Sequence, residues 1–156
     1  MRRLICRYRP VIGMFFCISL FMQSSLADED IRISNAWINE APPGMKMMGG
    51  YLTISNKTTH PLVLTGASSP CFERIEFHVT EMKDGLSTMH RQDSIPIPAG
   101  SEFNFAPGHD HLMLINNTRT LATGDKVPLT LYFAQGESLQ IKAEVRRGDP
   151  SAHQHH

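Results

Sequence analysis

Three scarcities narrow what this chain can be. The first is cysteine: Cys6 and Cys17 lie within the first 27 residues, and only Cys71 follows. No disulfide can form within the chain beyond residue 27, so the fold there must be held by apolar burial. The second is long apolar runs. The stretch from Val11 to Met22 is short of the roughly 20 residues that a membrane-spanning helix needs, and no helix-length window keeps a 3.6-residue apolar period without meeting Gly or Pro. The third is positive charge after Ala27. Eleven Lys and Arg face fifteen Asp and Glu there, a net charge of −4 with histidines neutral. That balance leaves no basic stripe to follow a phosphate backbone and argues against nucleic acid as a partner.

The other four basic residues, Arg2, Arg3, Arg7 and Arg9, open the chain. They precede the apolar Val11–Met22 stretch, and Ser25-Leu26-Ala27 then supplies small residues where a signal peptidase reads them. This is the layout of a secretory signal peptide cleaved after Ala27. Cys17 lacks the small residues that a lipoprotein cleavage site would place before it. The expectation is an exported, periplasmic protein of 129 residues without a membrane anchor, enough chain for one modest core. Within it, residues 28–147 form the domain. Residues 148–156 carry nothing apolar larger than Ala152 and Pro150, which predicts a mobile tail.

Turn signals recur every eight to twelve residues, among them Pro42-Pro43-Gly44, Asp84-Gly85, Pro107-Gly108 and Gly124-Asp125. Between them lie short runs rich in β-branched and aromatic residues: Tyr51 to Ser55, Leu62 to Thr65, Ile75 to Thr80, His111 to Ile115, Leu129 to Phe133 and Leu139 to Val145. The spacing predicts an all-β, single-domain Greek-key sandwich or barrel.

Alternation assigns faces. Ile75, Phe77 and Val79 share the core side of one strand, which puts Glu76, His78 and Thr80 on the other. Leu112 and Leu114 take the core side of a second strand, so His111 and Met113 stand together on its opposite face, about 6.6 Å apart along the chain direction. If Met82 to Gly85 is a four-residue hairpin loop, His78 opposes Met89, with Cβ atoms about 4.5–5.5 Å apart. Thioether and imidazole together favour copper, Cu(I) in particular, over Mg²⁺, Ca²⁺ or Zn²⁺. A thioether also needs no deprotonation and cannot be lost to a disulfide. These residues alone leave open whether the methionines are core filler and the histidines merely hydrogen-bonded.

The spacing closes that gap by likeness. His78, ten residues, Met89, twenty-one residues, His111, one residue, Met113 matches the H(M)x10Mx21HxM signature of the periplasmic copper chaperones called PCuAC. Ile75-Glu76-Phe77-His78 resembles that family's V-E-L-H, and Pro107-Gly108-His109-Asp110-His111-Leu112-Met113-Leu114 resembles its P-G-G-Y-H-L-M-L. Ala36-Trp37, Pro42-Pro43-Gly44 and Tyr51 to Asn56 are similar landmarks, and the likeness spans nearly all of Ile31 to Val145. It departs in two places: Val79 stands for an optional methionine, and His109-Asp110 replaces Gly-Tyr. His109 is thus either an alternate ligand or a loop residue.

The resemblance implies a cupredoxin-like, non-catalytic domain that binds one Cu(I) through His78, Met89, His111 and Met113. It further implies delivery to cytochrome c oxidase assembly, chiefly the CuA centre of subunit II, or to another copper chaperone such as a Sco-type protein. A monomer is expected. A copper-sequestering resistance protein using the same ligands is the alternative. A blue-copper electron carrier would need a Cys thiolate with two His, and Cys71 has no such pattern near it. Met45, Met47 and Met48 crowd a loop bounded by Pro and Gly, where they would pass copper along or cover one end of the domain. His153, His155 and His156 form a terminal cluster suited to Cu(II) or Zn²⁺. Cys71 is expected to pack as a small apolar residue, and His60 and His90 to be structural.

Mass spectrometry of the protein recovered from its native host should show Asp28 as the first residue. An intact Met1, or a lipid on Cys17, would reject this reading of the leader.

Overall fold

The computed structural model describes residues 30–83 and 85–148. The expected signal segment and the histidines His153, His155 and His156 lie outside the described residues. Ten strands carry the fold: β1 (Ile31–Asn39), β2 (Met47–Asn56), β3 (Leu62–Ser68), β4 (Phe72–Lys83), β5 (Leu86–Gln92), β6 (Ile95–Ile97), β7 (Glu102–Phe105), β8 (His111–Asn117), β9 (Lys126–Phe133) and β10 (Ser138–Arg146). Among the described residues there is no α-helix. The strands pair in the order β5-β4-β8-β2-β1-β10-β9-β3-β6, with β7 added to β2. Only β1 and β10 run parallel; every other pair is antiparallel.

The hydrogen-bonded path does not close into a barrel, since β5 and β6 end it. It folds over instead, so that β3 and β4 approach without pairing. β2 makes the fold possible. One edge bonds β1 along its length, while the other bonds β8 through Met47 to Gly50 and β7 through Leu52 to Ser55. β1 bends at an irregularity between Ser34 and Trp37, where Asn35 takes φ 52°. An irregularity of this kind bends the strand and sharpens its local twist.

Alternating side chains fill the space inside. Ile38, Leu52, Ile54, Leu64, Leu112, Leu114, Leu131 and Val145 are at most 1% exposed. β9 alternates most cleanly: Val127, Leu129, Leu131 and Phe133 are buried and Lys126, Pro128 and Tyr132 are exposed. Gly50 allows a close approach between β2 and β8, because a Cβ there would lie 2.7 Å from Leu114 Cδ1 and 3.2 Å from Leu112 Cβ. Asn56 ties the end of β2 to the β6 region. Its buried amide donates to the carbonyls of Ile97 and Pro98, and its oxygen accepts from Thr58. Cys71 is a free, buried thiol just before β4, as expected of a small apolar residue.

Two expectations need correction. Lys83 pairs with Leu86, so the β4–β5 connection is two residues rather than Met82 to Gly85. Asp-Gly is a preferred sequence for such a two-residue connection, because its turn matches strand twist. Thr80 therefore opposes Met89, and His78 opposes Arg91. Because the side-chain period is two, this shift of two leaves Met89 on the face of His78, now as its diagonal neighbour. The second correction concerns the methionine loop. Met47 and Met48 belong to β2, and Met48 is a core residue at 4% exposure.

The burial pattern separates packing from surface residues. In denaturation of the metal-free protein, Leu114→Ala should cost about 2–5 kcal/mol. Met89→Ala should stay within about 0.5 kcal/mol, since Met89 is 53% exposed. Equal losses would mean that Met89 contributes to the core.

Candidate metal centre

Register builds the centre. β4 and β8 pair so that Phe77 opposes Leu112 and His78 opposes His111. Phe77 and Leu112 point into the core, at 4% and 0% exposure. Their neighbours along each strand must then point to the other face, which sets the two imidazoles side by side. Their ring centroids are 5.7 Å apart. Met113 lies one step along on β8, opposite Glu76 on β4 and Gly49 on β2. Met89 approaches from the β5 side. All four expected ligands thus occupy one face. A pocket of about 400 Å³ is lined by Met89, His111 and Met113 together with Met45, Met47 and Tyr51, while His78 lies outside its lining.

Burial is graded across this face. His111 is 8% exposed, deeper than its place outside the core suggested. The His78 side chain is 17% exposed and Met89 53%. The imidazoles are therefore sheltered, and the outermost thioether is open to solvent.

Each ring is held through one nitrogen. His111 Nδ1 lies 3.0 Å from the His109 carbonyl oxygen. A carbonyl only accepts, so Nδ1–H donates and the Nε2 lone pair is left free. His78 Nε2 lies 3.0 Å from Glu76 Oε2. An ionised carboxylate likewise only accepts, which places the proton on Nε2 and the lone pair on Nδ1. That Nδ1 is buried and has no hydrogen-bond partner. An unsatisfied buried acceptor costs about 1–3 kcal/mol, and a metal ion is one means of satisfying it. The donor set fits a soft ion. Among the described residues no three His, Cys, Asp or Glu side chains converge as a metal cluster.

Glu76 was assigned only a face by the sequence, but the structure gives it a position. Beside His78 it also meets Arg74 Nε at 3.0 Å and Arg91 Nη1 at 3.5 Å. The hydrogen bond from His78, with the charges of Arg91 and Arg74, holds its carboxyl below the usual range. Its place two residues before His78 on the same strand face was the available signal. Tyr51 was also missed. Its ring packs on Trp37 with centroids 4.5 Å apart, and burial pushes its phenol pKa up.

His109 is an exposed turn residue. Its N–H donates to the Ala106 carbonyl and its own carbonyl holds His111. His90 is exposed and pairs opposite Val79, on the other face from Met89. His60 is exposed in the turn after β2, and its carbonyl accepts from Asn56.

Comparison with known proteins bears on both fold and site. Residues 31–145 match the LpqE-like family, described as "Putative lipoprotein LpqE-like". Lxx21020 of Leifsonia xyli subsp. xyli, which carries the same lipoprotein designation, is 31% identical over 119 residues, covering 76% of this chain and 70% of that one. RP573 of Rickettsia prowazekii is 27% identical over 101 residues, 64% of this chain and 56% of that one. Among solved structures, the copper-bound PCuAC domain from PmoF2 is similar with a TM-score of 0.66 and 25% identity, covering 76% of this chain and 94% of that domain. Cu(I)-loaded DR1885 from Deinococcus radiodurans gives 0.61 and 28%, covering 72% and 76%. The fold is the cupredoxin-like β fold of these copper-binding domains, and the chain belongs to the LpqE-like family.

Proposed function

We propose that this chain is an exported Cu(I) carrier that holds one ion through His78, Met89, His111 and Met113. Its destination is the CuA centre of cytochrome c oxidase subunit II, reached in the periplasm directly or through a Sco-type chaperone. The observation that carries the proposal is the pair of free imidazole lone pairs, His78 Nδ1 and His111 Nε2. They belong to neighbouring strands and share one face with two thioethers. Structural likeness to two copper-loaded domains supports the choice of metal. The lipoprotein designation of the family and of Lxx21020 supports export.

The chain's own groups divide the work. The His109 carbonyl and Glu76 fix which nitrogen of each ring is presented. Arg74 and Arg91 keep Glu76 ionised. Met113 and Met89 supply neutral sulfur from opposite sides of the histidine pair. Neutral ligands release a soft cation more readily than thiolates do, so a thiolate-bearing acceptor draws Cu(I) away. No change of oxidation state accompanies that exchange.

Two experiments test this. Long-range ¹H–¹⁵N spectra of the metal-free protein should show His78 protonated on Nε2, and Glu76→Ala should weaken Cu(I) binding about 10–100-fold. A wild-type Nδ1–H tautomer, or Glu76→Ala with unchanged affinity, would sink the assigned role of Glu76. In the host, deletion of the gene should impair oxidase assembly when copper is scarce. Added copper should restore it, and His78→Ala protein should not. Normal assembly in scarce copper with earlier death in excess copper would instead make the protein a sequestering one.

A further inference from the structure

Two thioethers outside the four-ligand set share the pocket lined by Met89, His111 and Met113. Met47 lies on β2, whose register sets Gly49 opposite Met113 and Met47 opposite Ile115. Met47 and Met113 are therefore diagonal neighbours on one sheet face, a relation with Cα atoms about 7–8 Å apart that long side chains span. The position directly opposite Met113 is Gly49, and a Cβ there would fall 2.6 Å from the Tyr51 hydroxyl oxygen. The phenol fills that room and lies beside the two thioethers as a wall of the pocket. Met45 reaches the same pocket from the turn closed by its N–H donating to the Pro42 carbonyl at 3.0 Å.

Packing does not account for these two side chains. Met48, between them and the strand's continuation, is the one buried in the core. Met45 and Met47 are each 49% exposed and lie at the pocket beside Met89 and Met113. Thioether sulfur carries no charge and binds hard cations poorly, whereas Cu(I) accepts it in low coordination numbers. Without an imidazole, such a site holds the ion more loosely than the histidine pair would.

We propose that Met45 and Met47, with Met113 as the shared member, form a second and weaker Cu(I) station at the mouth of the pocket. Through it the ion enters or leaves the inner site. The shared Met113 makes the step a ligand exchange: its sulfur stays bound while both imidazoles and the Met89 thioether are released and the two outer thioethers of Met45 and Met47 take their place. The inner half of this picture rests on the four-ligand reading above; the outer station is tested separately.

The test uses the full exported chain with ¹³C-methyl-labelled methionine, titrated without oxygen with Cu(I), and in parallel with Ag(I). The Met89 and Met113 methyl signals should shift in the first equivalent. Met45 and Met47 should shift in a later one, with a second movement of Met113. Each methyl reports its own position, so binding at the terminal histidines does not obscure the result. Met45→Leu/Met47→Leu should lose the later event, keep the first and surrender Cu(I) more slowly to a chelator. His78→Ala/His111→Ala should lose the first event and keep the shifts of Met45 and Met47. Static Met45 and Met47 signals throughout, or an unchanged later event at Met113 in the leucine variant, would overturn the outer station. Shifts at Met45 and Met47 with none at Met89 in the wild type would overturn the inner site and leave the outer one standing.

Discussion

The pairing of β4 with β8 is the constraint on which the rest of the centre depends. Phe77 opposite Leu112 locks that register from the core side, with Phe77 also packed near Phe105 at a centroid distance of 6.1 Å. A slip of one residue by either strand would carry its own apolar side chain to the outer face and its own histidine into the core. Burying an unpaired polar ring while exposing a phenylalanine is unfavourable twice over. The hydrophobic core therefore positions the imidazoles. Site and core are two faces of the same register.

Second to the register comes charge. Glu76 is an anion next to a proposed cation site, yet it is not free to serve as a ligand. Its oxygens are engaged by His78, Arg74 and Arg91. Both arginines are more than half exposed, so their pairing is screened and worth little as stability. Both flank the Glu76 oxygen Oε1, while Oε2 accepts from His78. His111 is held instead by a backbone carbonyl, which needs no counter-charge. One ring is thus oriented by a side chain and the other by the turn before β8.

Much of this was legible in the sequence, for identifiable reasons. Period-two alternation gave the faces of Ile75-Glu76-Phe77-His78 and His111-Leu112-Met113-Leu114, because Phe77, Leu112 and Leu114 enter the core, although His111 and Ile115 on the other face of β8 are also buried. The hairpin was harder. Asp84-Gly85 admits either a four-residue or a two-residue connection, and only the backbone decides between them. The shift of two moved Met89 from opposite His78 to opposite Thr80, and the period of two kept it on the right face. β1, β6 and β7 were not apparent as strands. β1 is broken by its irregularity at Asn35, β6 is three residues with Pro96 in the middle, and β7 is four residues long. Met47 and Met48 read as loop because Gly49-Gly50 follows them, whereas the glycines are there for close approach: Gly50 under Leu114 and Gly49 under Tyr51. Glu76 and the His109 carbonyl act through geometry that no residue type announces.

The gradient of burial across the outer face follows from the strand order. β8 is interior to the sheet, flanked by β4 and β2, so His111 is covered from both sides. β5 ends the path and has only β4 beside it, so Met89 remains open. A soft cation held between them would meet protected imidazole on one side and accessible thioether on the other. The ligand set is neutral and the nearest carboxylate is already paired, so the ion's charge would stay largely uncompensated. An acceptor bearing thiolates then gains on charge as well as on softness, and it can approach from the β5 edge without disturbing the β4–β8 pairing. On the proposed reading, the strand locked by the core keeps His111 and Met113 in place, while the exposed thioethers of Met89, Met45 and Met47 form the open side of the pocket through which copper is lost.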